Sequence, residues 1–231
     1  MKIGYTKKTI ETKDRLFELM PDDLKHAKIF LNIGNANSKG APGYLMLNKP
    51  ENVKNAADKK AMFKVFKENR INSVKFIDLK GLGKFKAIGY LLTGKDLVLR
   101  EQGLNVIGIS QLFRFLKSKE WVTLKEEKVI EYRVIVFRDK ILRAMIKLPN
   151  KKDFTLKQEN CRFIDIKPEF INETIPKDVI KSVKCLGLDL AGVDCLINKK
   201  GEFKILEVNS GMSLCSKSIG LLFNELRRMK T

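Results

Sequence analysis

Histidine is almost absent from this chain: His26 stands alone among 231 residues. That excludes any mechanism needing two imidazoles and argues against a zinc site. Only four cysteines occur, at positions 161, 185, 195 and 215, with no Cys-x-x-Cys spacing and mostly apolar neighbours. They read as reduced core thiols of a cytosolic protein, not as a disulfide framework. No apolar run approaches the roughly 18 residues that span a bilayer. The polar start MKIGYTKKTIETK also lacks the apolar region of a signal peptide. Acidic residues are scarce too, 27 against 46 Lys and Arg, which leaves a formal net charge of +19. Such a balance points to a polyanion: nucleic acid, an acidic substrate or nucleotide phosphates. The lysines are nevertheless spread along the chain, with no run of five or more like charges and no Arg-rich or aromatic-interleaved motif. A general preference for lysine accounts for most of them, and a nucleic-acid partner remains an alternative. At 44% hydrophobic content the chain can bury a core in one domain or two small lobes.

What is present is concentrated in residues 186–211, LGLDLAGVDCLINKKGEFKILEVNSG. An apolar run carries Asp194, Asn198-Lys199-Lys200-Gly201 supplies hairpin turn chemistry, and FKILEVN returns with Glu207 and Asn209. Period-two alternation puts Glu207 and Asn209 on one face, with Asp194 approaching from the partner strand. Two carboxylates and an amide oxygen among Val, Leu and Ile suit a hard cation such as Mg²⁺, and without a cation the carboxylates would repel. An ordinary hairpin with acids at its strand ends has the same spacing.

The runs GLDLAGVDCLI and FKILEVNSG resemble the metal motif of the ATP-grasp ligases, in particular the branch of ribosomal-protein glutamate ligases and glutathione synthetases. The resemblance implies that Asp194, Glu207 and Asn209 hold Mg²⁺ against the phosphates of ATP. Three further blocks follow the family's order. LNKPENVKNAADKK, opening an amphipathic helix over 47–71, resembles the N-x-P…A-x-D-K segment and implies Lys59 as an ATP-contacting lysine, with Asn48 and Asp58 in the motif. Arg100 ends an apolar strand where the family has a second phosphate-contacting cation, usually Lys; a guanidinium fork can grip two phosphate oxygens. The loop after it keeps Gly103 and Gly108, fewer glycines than the family's phosphate flap. EYRVIVFRDKILRAMIK resembles the [D/E]-x-R-V-x-V strand pair, implying Glu131 at the nucleotide ribose and Arg133 and Lys147 at the phosphates or acyl intermediate. By the same likeness Leu124, Lys125, Glu126 and Glu127 form the interlobe hinge that reads the adenine edge.

The expected architecture is an α+β ATP-grasp fold in which two lobes of antiparallel sheet and helices clasp ATP. Residues 1–46 are a reduced N-terminal segment with a helix over 13–19 and a strand over 28–33, residues 47–123 form the first lobe, and 124–231 the second. Residues 149–174 carry little legible pattern. Thr174 is expected to cap a helix over 177–186, and a last helix over 213–230 turns Leu214, Ile219, Leu222 and Leu226 inward. The implied reaction joins a small-molecule or peptide carboxylate to an amine through an acyl phosphate, with ATP and Mg²⁺ as cofactors. A kinase-like phosphotransfer, or a basic nucleic-acid-associated protein with a residual ATP site, are the alternatives. If Arg100 grips phosphate, Arg100→Ala should weaken ATP binding by roughly 1.5–3 kcal/mol, with Arg100→Lys intermediate, as isothermal titration would read.

Overall fold

The computed structural model describes residues 1–6, 9–79, 83–93, 95, 97–99, 105–107, 121–124, 126–149 and 161–229. Arg100, Lys125 and the glycines at 103 and 108 lie outside them. Among the described residues no helix is long and apolar enough to cross a membrane.

Three sheets organise the described residues. Strands β1 (Lys2–Tyr5), β2 (Ile29–Ile33) and β3 (Leu45–Leu47) form a parallel sheet in that order, with helices α1 (Ile10–Glu18) and α2 (Asp22–Lys25) between β1 and β2. The central strand, IFLNI, is buried at all five positions, as a strand covered on both faces requires. Helices α3 (Pro50–Ala57) and α4 (Lys59–Glu68) follow. An antiparallel sheet in the order β4-β7-β5-β6 then comprises β4 (Phe76–Asp78), β5 (Leu97–Leu99), β6 (Asn105–Ile107) and β7 (Trp121–Leu124), with α5 (Gly83–Leu92) after β4. The largest sheet, antiparallel and ordered β10-β9-β8-β11-β12, contains β8 (Lys128–Phe137), β9 (Lys140–Pro149), β10 (Cys161–Asp165), β11 (Leu190–Asn198) and β12 (Phe203–Asn209). Helices α6 (Pro168–Thr174) and α7 (Asp178–Cys185) precede β11, and α8 (Ser216–Arg228) ends the fold.

Several expectations change in detail. The helix expected over 47–71 is two helices, because Asp58 is extended and its carboxylate accepts from the N–H groups of Lys60 (2.9 Å) and Ala61 (3.2 Å). That cap starts a new helix and places Lys59 at its first position. Thr174 is the last residue of α6 and not a cap: α7 begins at Asp178, after Lys177. Leu214 is buried but precedes α8, which turns Ile219, Leu222, Phe223 and Leu226 inward. All four cysteines are free, and Cys195 is buried.

Packing divides the expected unit 47–123 between two cores. Val53 and Ala56 of α3 and Met62, Phe63 and Phe66 of α4 join Val179 and Val183 of α7 against one face of the five-stranded sheet, at Tyr132, Val134, Val193 and Ile205. The four-stranded sheet has its own small core of Ile77, Leu79, Ala87, Leu91, Leu97 and Val122. The opposite face of the large sheet, at Ile135, Phe137, Met145 and Leu190, packs on α8 and the N-terminal parallel sheet. Two short segments join the small and large sheets. Ile205 donates to the Asn72 carbonyl and Val74 donates back to Ile205, while Lys199 donates to the Glu127 carbonyl.

Asn48 ties the N-terminal sheet to the large one. It is fully buried in the left-handed region at φ 60°. Its amide nitrogen donates to the carbonyls of Asn32 (3.1 Å) and Leu190 (2.8 Å), and its amide oxygen accepts from the N–H groups of Asp189 (2.8 Å) and Leu190 (2.9 Å). Asn48→Ala would strand several buried backbone groups and should lower stability by about 3 kcal/mol or more in urea unfolding. Asn48→Gly, relieved of the left-handed strain, should lose about 1 kcal/mol less than the alanine variant.

Candidate active site

One face of the five-stranded sheet carries the expected residues in cross-strand rows. In the first, Lys147 of β9 pairs with Glu131 of β8, which pairs with Leu196 of β11, which pairs with Lys204 of β12. In the second, Asp165 of β10, Met145, Arg133, Asp194 and Glu207 follow one another across all five strands. In the third, Arg143, Ile135, Gly192 and Asn209 stand in line.

The second row depends on a β-bulge. Near the hairpin tip Leu196 pairs with Lys204 and Cys195 with Ile205, but the register shifts before Asp194, which pairs with Glu207. Continued without the shift, the ladder would set Leu206 opposite Asp194 and turn Glu207 to the other face. One extra residue therefore brings the two carboxylates together.

Their surroundings are cationic. Arg133 donates from Nε and a terminal nitrogen to the two oxygens of Asp194, the latter bond at 2.9 Å, and both side chains are nearly buried. Lys59 Nζ lies 3.3 Å from Glu207 Oε2 and donates to Asn209 Oδ1 at 3.4 Å. Asn209 Nδ2 in turn donates to Glu207 Oε1 at 2.9 Å and reaches Asp194 Oδ2 at 3.5 Å. Burial pushes the Asp194 carboxyl up to about 6, with Arg133 opposing that rise and Glu207 adding to it. A buried acid that is hard to ionise beside a second carboxylate gains from a divalent cation. The oxygen donors of Asp194, Glu207 and Asn209 fit Mg²⁺ once the Asn209 amide turns its oxygen inward.

In the first row Glu131 is held by Lys147 and Lys128, each at 2.8 Å. Burial alone would raise the Glu131 carboxyl, but the two ammonium groups outweigh it and hold it below its ordinary value. Both Glu131 oxygens are thus engaged within the chain. Beyond β7, Glu126 accepts from Lys204 (2.7 Å) and Asn198 (3.1 Å), and Glu127 pairs with Lys199 (2.7 Å). The Leu124 N–H donates to Lys75 and the Glu127 carbonyl accepts from the Lys199 N–H. Residues 126–127 therefore rest on the hairpin, while Leu124 extends the β4–β7 pairing.

Asp194, Glu207, Asn209, Lys59 and Arg133 come together in one cluster, and Glu131 and Lys147 form a second cluster on the same face. Lys128 and Lys204 were not marked as site residues from sequence, since nothing separates them from other lysines until the rows are known, and Asn198 was read only as a turn residue. Gly192 was legible as a glycine inside a buried strand. A side chain there would meet Met212 Sδ at 3.0 Å, so the glycine lets the loop after Asn209 lie on the sheet. Gly34, at φ 72°, abuts the same loop at Gly211, leaving 2.6 Å between an added Cβ and the Gly211 Cα.

No protein-family model matches the chain, and no curated protein sequence does. Solved structures do match. The ATP-grasp ligase PsnB, complexed with a minimal precursor, superposes with a TM-score of 0.64 at 17% identity, over 82% of this chain and 65% of that one. The chain thus spans just under two thirds of PsnB. A D-alanine–D-alanine ligase from Bacillus anthracis, complexed with ATP, gives 0.68 at 15% identity, over 100% of this chain and 97% of that one. The macrocyclase MdnC from Microcystis aeruginosa, bound with its precursor peptide MdnA, gives 0.61 at 12%, over 81% and 66%. The chain has the α+β ATP-grasp fold.

The buried Glu131–Lys147 pair makes a pH prediction. Because the folded Glu131 carboxyl lies below its ordinary value, its contribution to stability is present at neutral pH and is lost as pH falls below about 4.5. Lys147→Met should destabilise the protein by about 2–3 kcal/mol at pH 7, less than a wholly orphaned charge because Lys128 stays. The gap to wild type should narrow as the pH is lowered toward 3, read by urea titrations at several pH values.

Proposed function

We propose that this chain is an ATP- and Mg²⁺-dependent carboxylate–amine ligase that forms an amide bond through an acyl phosphate, releasing ADP. The observation that carries this reading is the meeting of Asp194, Glu207 and Asn209 on one sheet face, with Lys59 and Arg133 in contact with them. In this reading Asp194, Glu207 and Asn209 hold the metal, which when bound neutralises charge on the transferring phosphate oxygens. Lys59 and Arg133 supply fixed positive charge beside the same oxygens, and Lys147 extends the cationic strip along β9. Residues 124–127, including Lys125, border the adenine, and Glu131 is the carboxylate nearest the ribose. Arg100 would be a second cation in contact with the phosphates. The chain itself contributes no covalent nucleophile; its residues orient reactants and compensate charge, as phosphoryl transfer demands.

The fold neighbours bear on the substrate class. MdnC is bound with its precursor peptide, and one PsnB complex holds a minimal precursor, Mg and ADP. A peptide carboxylate or amine therefore belongs beside amino acids among the first substrates to try.

Mg²⁺ and ATP together should raise the melting temperature by more than the sum of either alone, since the carboxylates need the metal and the metal needs phosphate oxygens. Equal shifts with and without Mg²⁺ would make the hairpin acids structural. Pooled amino acids and peptides, screened for stimulated ADP release with the product weighed by mass spectrometry, would separate amide formation from phosphate transfer. Glu207→Gln should abolish that turnover. Its apo stability should stay within about 1 kcal/mol of wild type, because the Lys59 pair it weakens is partly exposed. A Gln variant that turns over normally would sink the reading.

A further inference from the structure

We propose that Arg133 and Lys59 are exchangeable counter-ions, each holding a metal-ligand side chain of the hairpin until nucleotide phosphates arrive to receive it. The inference rests on the nucleotide reading above and concerns how that site loads. Arg133 engages both oxygens of Asp194, and Lys59 engages both Glu207 and the amide oxygen of Asn209. All three ligand groups are thus in contact with a cation of the protein itself.

These contacts compete with a metal. A dication at Asp194 would stand within a few ångströms of the guanidinium and repel it. In the exchange, the metal takes the Asp194 oxygens that Arg133 now holds, and Arg133 leaves them. Along its own face the neighbouring side chains offer little else. Met145 and Ile135 are apolar, and Glu131 is already held by Lys128 and Lys147. An incoming anion is the suitable destination, and a planar fork fits two phosphate oxygens as well as it fits a carboxylate. Metal alone must displace Arg133 with no new partner for it, whereas metal with nucleotide offers an exchange. The arrangement couples the two ligands, and the coupling is reciprocal.

The opposite role is that of a support, in which Arg133 orients Asp194 for the metal and stays. Mn²⁺ titrations, followed by the electron paramagnetic resonance of the free ion, tell the two apart without any turnover. Exchange predicts that Arg133→Gln binds Mn²⁺ alone about tenfold more tightly than wild type. The enhancement of Mn²⁺ binding by ADP should shrink by a similar factor, and adding Asp194→Asn should erase the gain. Arg133→Lys, with one point charge in place of the fork, should move the same way by less, and it serves if the Gln variant does not fold. Equal or weaker Mn²⁺ binding in the folded variants, with the ADP enhancement intact, would overturn the exchange and leave the nucleotide reading standing. Wild type that fails to bind Mn²⁺ even with ADP would bring down both.

Discussion

Two carboxylates facing each other across adjacent strands, one of them buried where ionisation is unfavourable, are the constraint on which the rest of this structure turns. Asp194 and Glu207 can coexist there only with positive charge close by. The surrounding strands and one helix provide it: Arg133 comes from β8, and Lys59 from the first position of α4. Lys59 reaches the site because Asp58 breaks the helix before it. The cap that ends one helix and starts the next also aims a cation at the sheet, so local backbone chemistry and site electrostatics share one residue.

The same sheet is held from both sides by different material. One face rests on α3, α4 and α7, and the other continues from the charged rows into the apolar contact with α8 and the N-terminal sheet. The small four-stranded sheet has a separate core and is linked by residues 72–75 and 124–127. Both links attach to the β11–β12 hairpin, one along β12 at Ile205 and one at the tip through Asn198, Lys199 and Lys204. The small sheet also meets α4, where Phe63 stacks on Phe76 and Lys60 reaches Asp78.

Much of this was legible in the sequence where local chemistry and pattern agree. The hairpin announced itself through Asn198 to Gly201 between two apolar runs, and Asn198 does organise that turn by accepting from the Lys200 and Glu202 N–H groups. The long strands 128–137 and 140–149 were readable for the same reason. Strand β10 was not: CRFID is mostly exposed and held by its backbone pairing with β9, so it has no hydrophobic alternation to read. The bulge beside Asp194 was also invisible, because no glycine or proline marks it, and yet it decides which face Glu207 occupies. Asn48 was noticed only as part of a motif. Its work is in tying two sheets together, which depends on partners as distant in sequence as Leu190.

The contacts of residues 1–46 make them part of the site's frame. Thr12 Oγ1 accepts from the Leu214 N–H at 3.4 Å and donates to the Met212 carbonyl at 3.5 Å. Thr9 Oγ1 donates to the Ile33 carbonyl at 3.1 Å, just before Gly34 meets Gly211. The loop that leaves Asn209 is thus clamped between the N-terminal segment and the bare strip at Gly192. Asn209 is fixed from both directions: the bulge sets its face from the hairpin side, and this clamp sets the path of the chain beyond it. A site built on carboxylates that repel each other needs its ligands held by backbone and packing, since their own electrostatics would push them apart.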